Sequence, residues 1–117
     1  MSLKFTFAGF GHAHINSLYH HVNQMEGLTF VAACEPDAVL RERTEKAGIA
    51  VDYTSFDRMF DEVECDVVAI GAIFGDRGDL AIEALKRGKH VIADKPICTR
   101  MSELQEIERL SAENNRR

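Results

Sequence analysis

The feature that most constrains this chain is an alternation that runs along nearly its whole length. Short apolar runs suited to strands give way to segments in which apolar residues recur every three or four positions. Leu3 to Ala8 reads as a strand, and Ile15, Leu18, Tyr19 and Val22 then share one helical face before Gly27. Leu28 to Cys34 is a second strand with almost no charge, as expected where helices cover both faces of a sheet. Asp37 can cap a helix that Gly48 closes, and a short strand follows at Ala50 to Tyr53. Ser55 can cap a helix with Phe56, Met59, Phe60 and Val63 on one face, after which Asp66 to Gly71 returns as a buried strand. Asp76 or Gly78 opens the next helix, Gly88 closes it, and His90 to Ala93 forms a fifth strand. Ser102 with Gln105 reads as the capping box of a last helix. Repeated strand-helix units predict parallel strands joined by helical crossovers: a doubly wound α/β sheet in three αβα layers.

Length and charge narrow the partners. A chain of 117 residues fits one domain, taken here as residues 1–117. Its formal charge of -5 is spread among interspersed signs, which argues against nucleic acid as a partner, since that requires a basic face. No apolar run approaches the ~20 residues that span a bilayer. Met1-Ser2-Leu3-Lys4 passes straight into a strand without the apolar region of a secretory signal, so a cytoplasmic address is expected. Cys34, Cys65 and Cys98 lack the C-x-x-C spacing of zinc or redox sites and read as reduced cysteines, the first two as small core residues. The last residues are Asn114-Asn115-Arg116-Arg117, where a sixth strand and then a substrate domain would ordinarily follow. The expectation is therefore a Rossmann-type unit cut before its C-terminal partner domain. Its fifth strand would carry an open edge that favours homo-oligomers.

The first strand-helix turn reads Gly9-Phe10-Gly11-His12-Ala13-His14, which keeps two glycines of G-x-G-x-x-G and puts histidine at the third. The first glycine permits the tight turn, the second lets a pyrophosphate approach the backbone, and the third allows close helix-strand packing. A helix starting near His12 would aim its N–H groups and positive dipole end at that pyrophosphate. Glu35, at the tip of the second strand, could accept both hydroxyls of an adenosine ribose and would repel a 2′-phosphate. NAD is thereby favoured, while Arg41 and Arg43 nearby leave NADP open. Two rival readings exist. His12-x-His14 with His20-His21 could hold a metal ion in a hydrolase, but a TIM-barrel hydrolase needs about 250 residues and no further ligands complete the set, so no metal site is expected. A non-catalytic module that binds dinucleotide or another protein is the second.

A third motif, Gly88-Lys89-His90-Val91-Ile92-Ala93-Asp94-Lys95-Pro96, ends the fifth strand. Together with the glycine turn and Cys34-Glu35-Pro36-Asp37, it resembles the N-terminal domain of the Gfo/Idh/MocA oxidoreductases, in which a G-K-H-V run leads into Glu-Lys-Pro. The resemblance covers nearly the whole chain. It implies that Lys95 is catalytic, lying beside a nicotinamide and contacting the substrate oxygen, that Asp94 orients it and that Pro96 fixes the turn. A lysine ammonium can polarise a carbonyl or, with a lowered pKa, accept an alcohol proton. The resemblance further implies hydride transfer to or from a small hydroxy compound such as a sugar, polyol or cyclitol. Where many members carry Thr-Pro-Asn and then a histidine, this chain has Ala72-Ile73-Phe74-Gly75-Asp76-Arg77, so only the backbone of Gly71 and Ala72 is carried over as a wall of the site. Family members also draw catalytic histidine and aspartate side chains from the second domain. This chain alone is accordingly expected to bind cofactor better than it turns over substrate.

Overall fold

The computed structural model describes residues 2–93 and 96–117. Among them the chain runs β1 (Leu3–Ala8), α1 (His14–Gln24), β2 (Leu28–Cys34), α2 (Ala38–Lys46), α3 (Phe56–Glu62), β3 (Val67–Ile70), α4 (Phe74–Lys86), β4 (His90–Ala93) and α5 (Met101–Asn114). The strands are all parallel and lie in the order β2-β1-β3-β4. The chain moves outward from β1 to β2, crosses back through α2 and α3, and adds β3 on the other side of β1. The turns after β1 and β3 therefore sit side by side where the winding reverses, the place at which open α/β sheets bind ligands.

Strand alternation sorts the core into two layers. Phe5, Phe7, Val67 and Ala69 face α1, where they meet Ile15, Val22 and Ile49. Ala8, Val68 and Ile70 face the opposite way, onto Met59 of α3 and Leu80, Ala81 and Ala84 of α4. Phe7 is wholly buried and sits among the rings of Phe10, Tyr19 and Phe30. Such a fully enclosed aromatic typically stabilises a domain by about 3–5 kcal/mol against truncation to alanine. The three-layer α/β architecture expected from the sequence is what forms.

Three local expectations are corrected. The strand expected at Ala50 to Tyr53 shrinks to one parallel bridge between Tyr53 and Cys34, in which Tyr53 donates to the Ala33 carbonyl (3.1 Å) and accepts from the Glu35 N–H (3.1 Å). Ile49 is drawn into the core and Val51 packs against it, so the backbone cannot run on along β2. Helix α4 opens at Phe74 rather than at Asp76 or Gly78, because the Ile73 carbonyl already accepts the Asp76 N–H at 3.0 Å. Helix α5 is capped by Glu103, not by Ser102 with Gln105. The Glu103 carboxylate accepts the N–H groups of Thr99 (3.3 Å) and Arg100 (3.2 Å) and the Arg100 guanidinium (3.0 Å). It is buried against α4, where Gly78 makes the room: a Cβ there would lie 2.4 Å from the Glu103 Cδ. At the β4 edge the Val91 N–H donates to the Arg117 carbonyl (2.5 Å), so the expected open edge is partly occupied by the chain itself.

The Glu103 clamp carries a pH signature. The hydrogen bond from Arg100 is the main cause holding its carboxyl below the usual range, with burial opposing and the Thr99 N–H assisting. A carboxyl lowered by folding stabilises above its unfolded value and loses that contribution as pH falls through the folded one. The gap in melting temperature between the wild type and Glu103→Gln should be largest at neutral pH and close on acidification below the ordinary glutamate range. A gap independent of pH would show that the charge is immaterial to α5 docking.

Candidate functional site

The turn after β1 is built on close backbone approaches. Gly9 adopts φ +87°, and a Cβ there would lie 2.6 Å from Ala72 Cα. At Gly11 a Cβ would meet Ile73 Cγ2 at 2.8 Å, and the Gly11 N–H donates to the Gly71 carbonyl (2.8 Å). His14 stands in the third glycine position, yet it is exposed and opens α1 without obstructing the strand. The close packing is supplied from across the sheet, since a Cβ on Gly71 would strike Ile15 Cβ at 2.5 Å. Gly71 and Ala72 are both buried, and the turn after β3 lies against the glycine turn through Ala72 and Ile73.

The start of α1 differs from the other helix starts. Asp37 caps α2, Ser55 caps α3, and α4 and α5 carry Asp76 and Glu103 in their first turns. Among the described helices only α1 has neither an acid in its first turn nor a cap from its N-cap residue, Ala13. The His12 ring meets the first N–H instead, accepting from His14 at Nδ1 (3.3 Å), so the positive end of the helix dipole carries no acidic side chain to offset it.

Glu35 sits at the tip of β2 as expected, but it faces inward. It is 4% exposed, with Oε1 accepting the Phe10 N–H (2.7 Å) and Oε2 the Asp37 N–H (2.9 Å). An ionised carboxylate has about four acceptor positions, so both oxygens retain capacity for a further donor. Glu35 lines a cavity of about 190 Å³ whose walls combine Gly9, Leu40, Phe56, Ala72 and Ile73 with two further acids, Asp37 and Asp76. Phe10 contributes only backbone, because its ring is buried against Phe7. Arg43 donates to the Phe10 carbonyl (3.4 Å), and Arg41 donates to the Glu35 carbonyl (3.0 Å). Burial first, and then the Glu35 charge, push the neighbouring Cys34 thiol up to about 12. Cys34 is therefore protonated and inert at neutral pH, a core residue as the sequence suggested.

On the other side of the glycine turn lies a second cavity of about 190 Å³, lined by His12, His14, Ile15, Gly71, Arg77 and Ala93. The rings of His12 and His14 meet edge to face at 4.4 Å, and the His14 N–H donates to His12 Nδ1 (3.3 Å). No group of three or more His, Cys, Asp or Glu side chains gathers to hold a metal ion among the described residues. His20 and His21 are exposed on α1. Asp94 and Lys95 lie outside the described residues; Pro96, which follows them, is exposed, and its carbonyl accepts from Arg77 (3.2 Å).

Arg77 is the residue that sequence reading passed over. It is wholly buried, donates to the Ala72 carbonyl through Nε (2.7 Å) and covers the Phe74 ring at 4.8 Å. The signal was present: Arg77 precedes Leu80 and Ala81 by three and four residues, so it continues the apolar face of α4. Ile15 and Ile73, whose side chains fill the space the glycines leave, had no local signal beyond apolarity.

The family model described as an oxidoreductase family with NAD-binding Rossmann fold, GFO_IDH_MocA, matches residues 3–117. Inositol 2-dehydrogenase of Salmonella typhimurium is 27% identical over 119 aligned positions, which cover 100% of this chain and 35% of that protein. Among solved structures, myo-inositol 2-dehydrogenase from Lactobacillus plantarum aligns with a TM-score of 0.81 at 25% identity, over 97% of this chain and 34% of the other. The WlbA dehydrogenase from Bordetella pertussis, solved with NADH and UDP-GlcNAcA, aligns at 0.84 and 21% identity over 100% and 36%, a likeness of fold. The chain spans about a third of the length of the relatives it matches. No helix among the described residues is long and apolar enough to cross a membrane.

Removal of the Glu35 carboxylate leaves the Phe10 and Asp37 N–H groups without their acceptors. Glu35→Ala should destabilise the domain by about 1–3 kcal/mol in urea unfolding, before any ligand is added. Unchanged stability would mean that Glu35 is not what anchors the glycine turn to β2.

Proposed function

Because this chain belongs to the Gfo/Idh/MocA oxidoreductases with their NAD-binding Rossmann fold, we propose that it is the cofactor half of a dehydrogenase acting on a small hydroxy compound such as a sugar, polyol or cyclitol. The observation that carries this is the glycine turn leading into α1 at the reversal point of the sheet, with no acid in the first turn of the helix and a cavity on each side. The residues fit a dinucleotide. The turn of Gly9, Phe10, Gly11, His12, Ala13 and His14 would lie against the pyrophosphate, whose charge the helix dipole favours. Glu35 would use its remaining acceptor capacity on the adenosine ribose, with Leu40 and Phe56 as apolar walls. Gly71 would back the nicotinamide half in the cavity beside β4, and Ala72 the ribose half in the Glu35 cavity. The inward carboxylate supports NAD over NADP, although Arg43 near the turn supplies a positive charge within reach of a 2′-phosphate.

When bound, the nicotinamide supplies or accepts the hydride. The protein's share is to hold the substrate oxygen and manage its proton. Lys95 is assigned that role from its motif and its place in the chain, two residues after β4, with Asp94 to orient it and Pro96 to fix the turn. A lysine that polarises a carbonyl in one direction takes the alcohol proton in the other. The relatives named as inositol dehydrogenases support a cyclitol or related substrate, and their threefold greater length supports a separate substrate-binding domain that completes the reaction.

Calorimetric titration of this chain with NAD, NADH and NADPH should give saturable binding of the first two and weaker binding of NADPH. Failure of all three to bind would remove the cofactor role from the isolated domain. In the full-length protein, Lys95→Ala should lower kcat by about 100-fold or more while leaving NAD affinity within a few-fold of the wild type. Undiminished turnover would exclude Lys95 from the chemistry.

A further inference from the structure

We propose that Arg77 is a positioning residue that locks the turn after β3 to the segment after β4, and thereby shapes the cavity on the nicotinamide side of the glycine turn. The link to nicotinamide rests on the dinucleotide reading above; the lock itself rests on geometry alone. Arg77 is 0% exposed, and a guanidinium cannot lose its charge, so its burial must be offset by specific contacts.

Those contacts are unevenly spread. Nε donates to the Ala72 carbonyl at 2.7 Å, and Nη1 to the Pro96 carbonyl at 3.2 Å. Ala72 is the residue against which Gly9 is packed. The guanidinium also covers the Phe74 ring, which lies 28° from parallel to the His12 ring with centroids 6.4 Å apart. One rigid cation therefore grips carbonyls on two separate turns and braces the glycine turn through a stacked pair of rings. Only arginine offers donors in a fixed fork that can hold two carbonyls in set directions; a lysine ammonium is a single flexible point. A cation kept merely to fill the core would not need to meet both turns, and its replacement would loosen the whole domain evenly. A positioning residue instead loosens the two turns it joins and shifts recognition of the ligand half that lies between them.

Arg77→Met preserves most of the apolar stem and deletes the fork, and Arg77→Lys keeps the charge. Hydrogen exchange on the ligand-free chain should show residues 71–74 and 96–100 losing protection together in the methionine variant, with β1 and β2 unchanged and the lysine variant intermediate. NADH affinity should fall about tenfold in Arg77→Met, while affinity for ADP-ribose, which lacks the nicotinamide, stays within about twofold. Unchanged protection at either turn, protection lost throughout the domain, or equal losses for the two ligands would each overturn the proposal. If the wild type binds neither ligand, the dinucleotide reading fails, and the exchange comparison still decides whether Arg77 joins the turns.

Discussion

The structure depends on the contact between two turns at the point where the sheet reverses its winding. Gly9, Gly11 and Gly71 bring the ends of β1 and β3 so close that any side chain at these positions would collide with Ala72, Ile73 or Ile15. Two backbone bonds stitch the turns, Gly11 N–H to the Gly71 carbonyl and Gly71 N–H to the Ala8 carbonyl (3.1 Å). Interiors pack at near-crystalline density, so a contact this tight leaves only one arrangement of the neighbouring elements. The start of α1, the wall formed by Ala72 and the two flanking cavities all follow from it.

Around that contact the chain separates charge from apolar surface in a consistent way. Anionic groups that could compete at the start of α1 are engaged elsewhere: Glu35 holds the Phe10 and Asp37 N–H groups, and Asp37 caps α2. Anchoring the turn places the Glu35 carboxylate in the cavity wall, and the same acceptor character suits it to hydroxyl donors. The arginines nearby spend their donors on main-chain carbonyls, Arg41 on Glu35 and Pro36, Arg43 on Phe10, which stiffens the turns that line the cavities.

The family is one of NAD-binding Rossmann folds, and this chain matches it from β1 through α5. After β3, Arg77 is buried with its guanidinium over the Phe74 ring. The closing segment is also specific to tertiary context: Arg117 reaches the β4 edge through the Val91 N–H and His90 Nδ1 (3.2 Å).

What the sequence determined by itself is whatever depends on neighbours within a turn or two. The alternation of strand and helix, the caps at Asp37 and Ser55, the glycine turn and the acid at the tip of β2 were all legible, because periodicity, capping and positive-φ glycine are local effects. The tertiary structure decided the rest. Ala50 to Tyr53 had the composition of a strand, but burial of Ile49 turned the backbone away after one bridge. Ser102 and Gln105 had the spacing of a capping box, but Gly78 on another helix opened a slot that Glu103 fills instead. The missing third glycine looked like a defect until Gly71, far along the chain, proved to supply the clearance for Ile15. Arg77 carried a helical spacing that put it in the core, but which carbonyls it would bind depended on turns five residues before it and nineteen after. Each of these outcomes is set by which distant backbone comes within contact, and no local pattern encodes that distance.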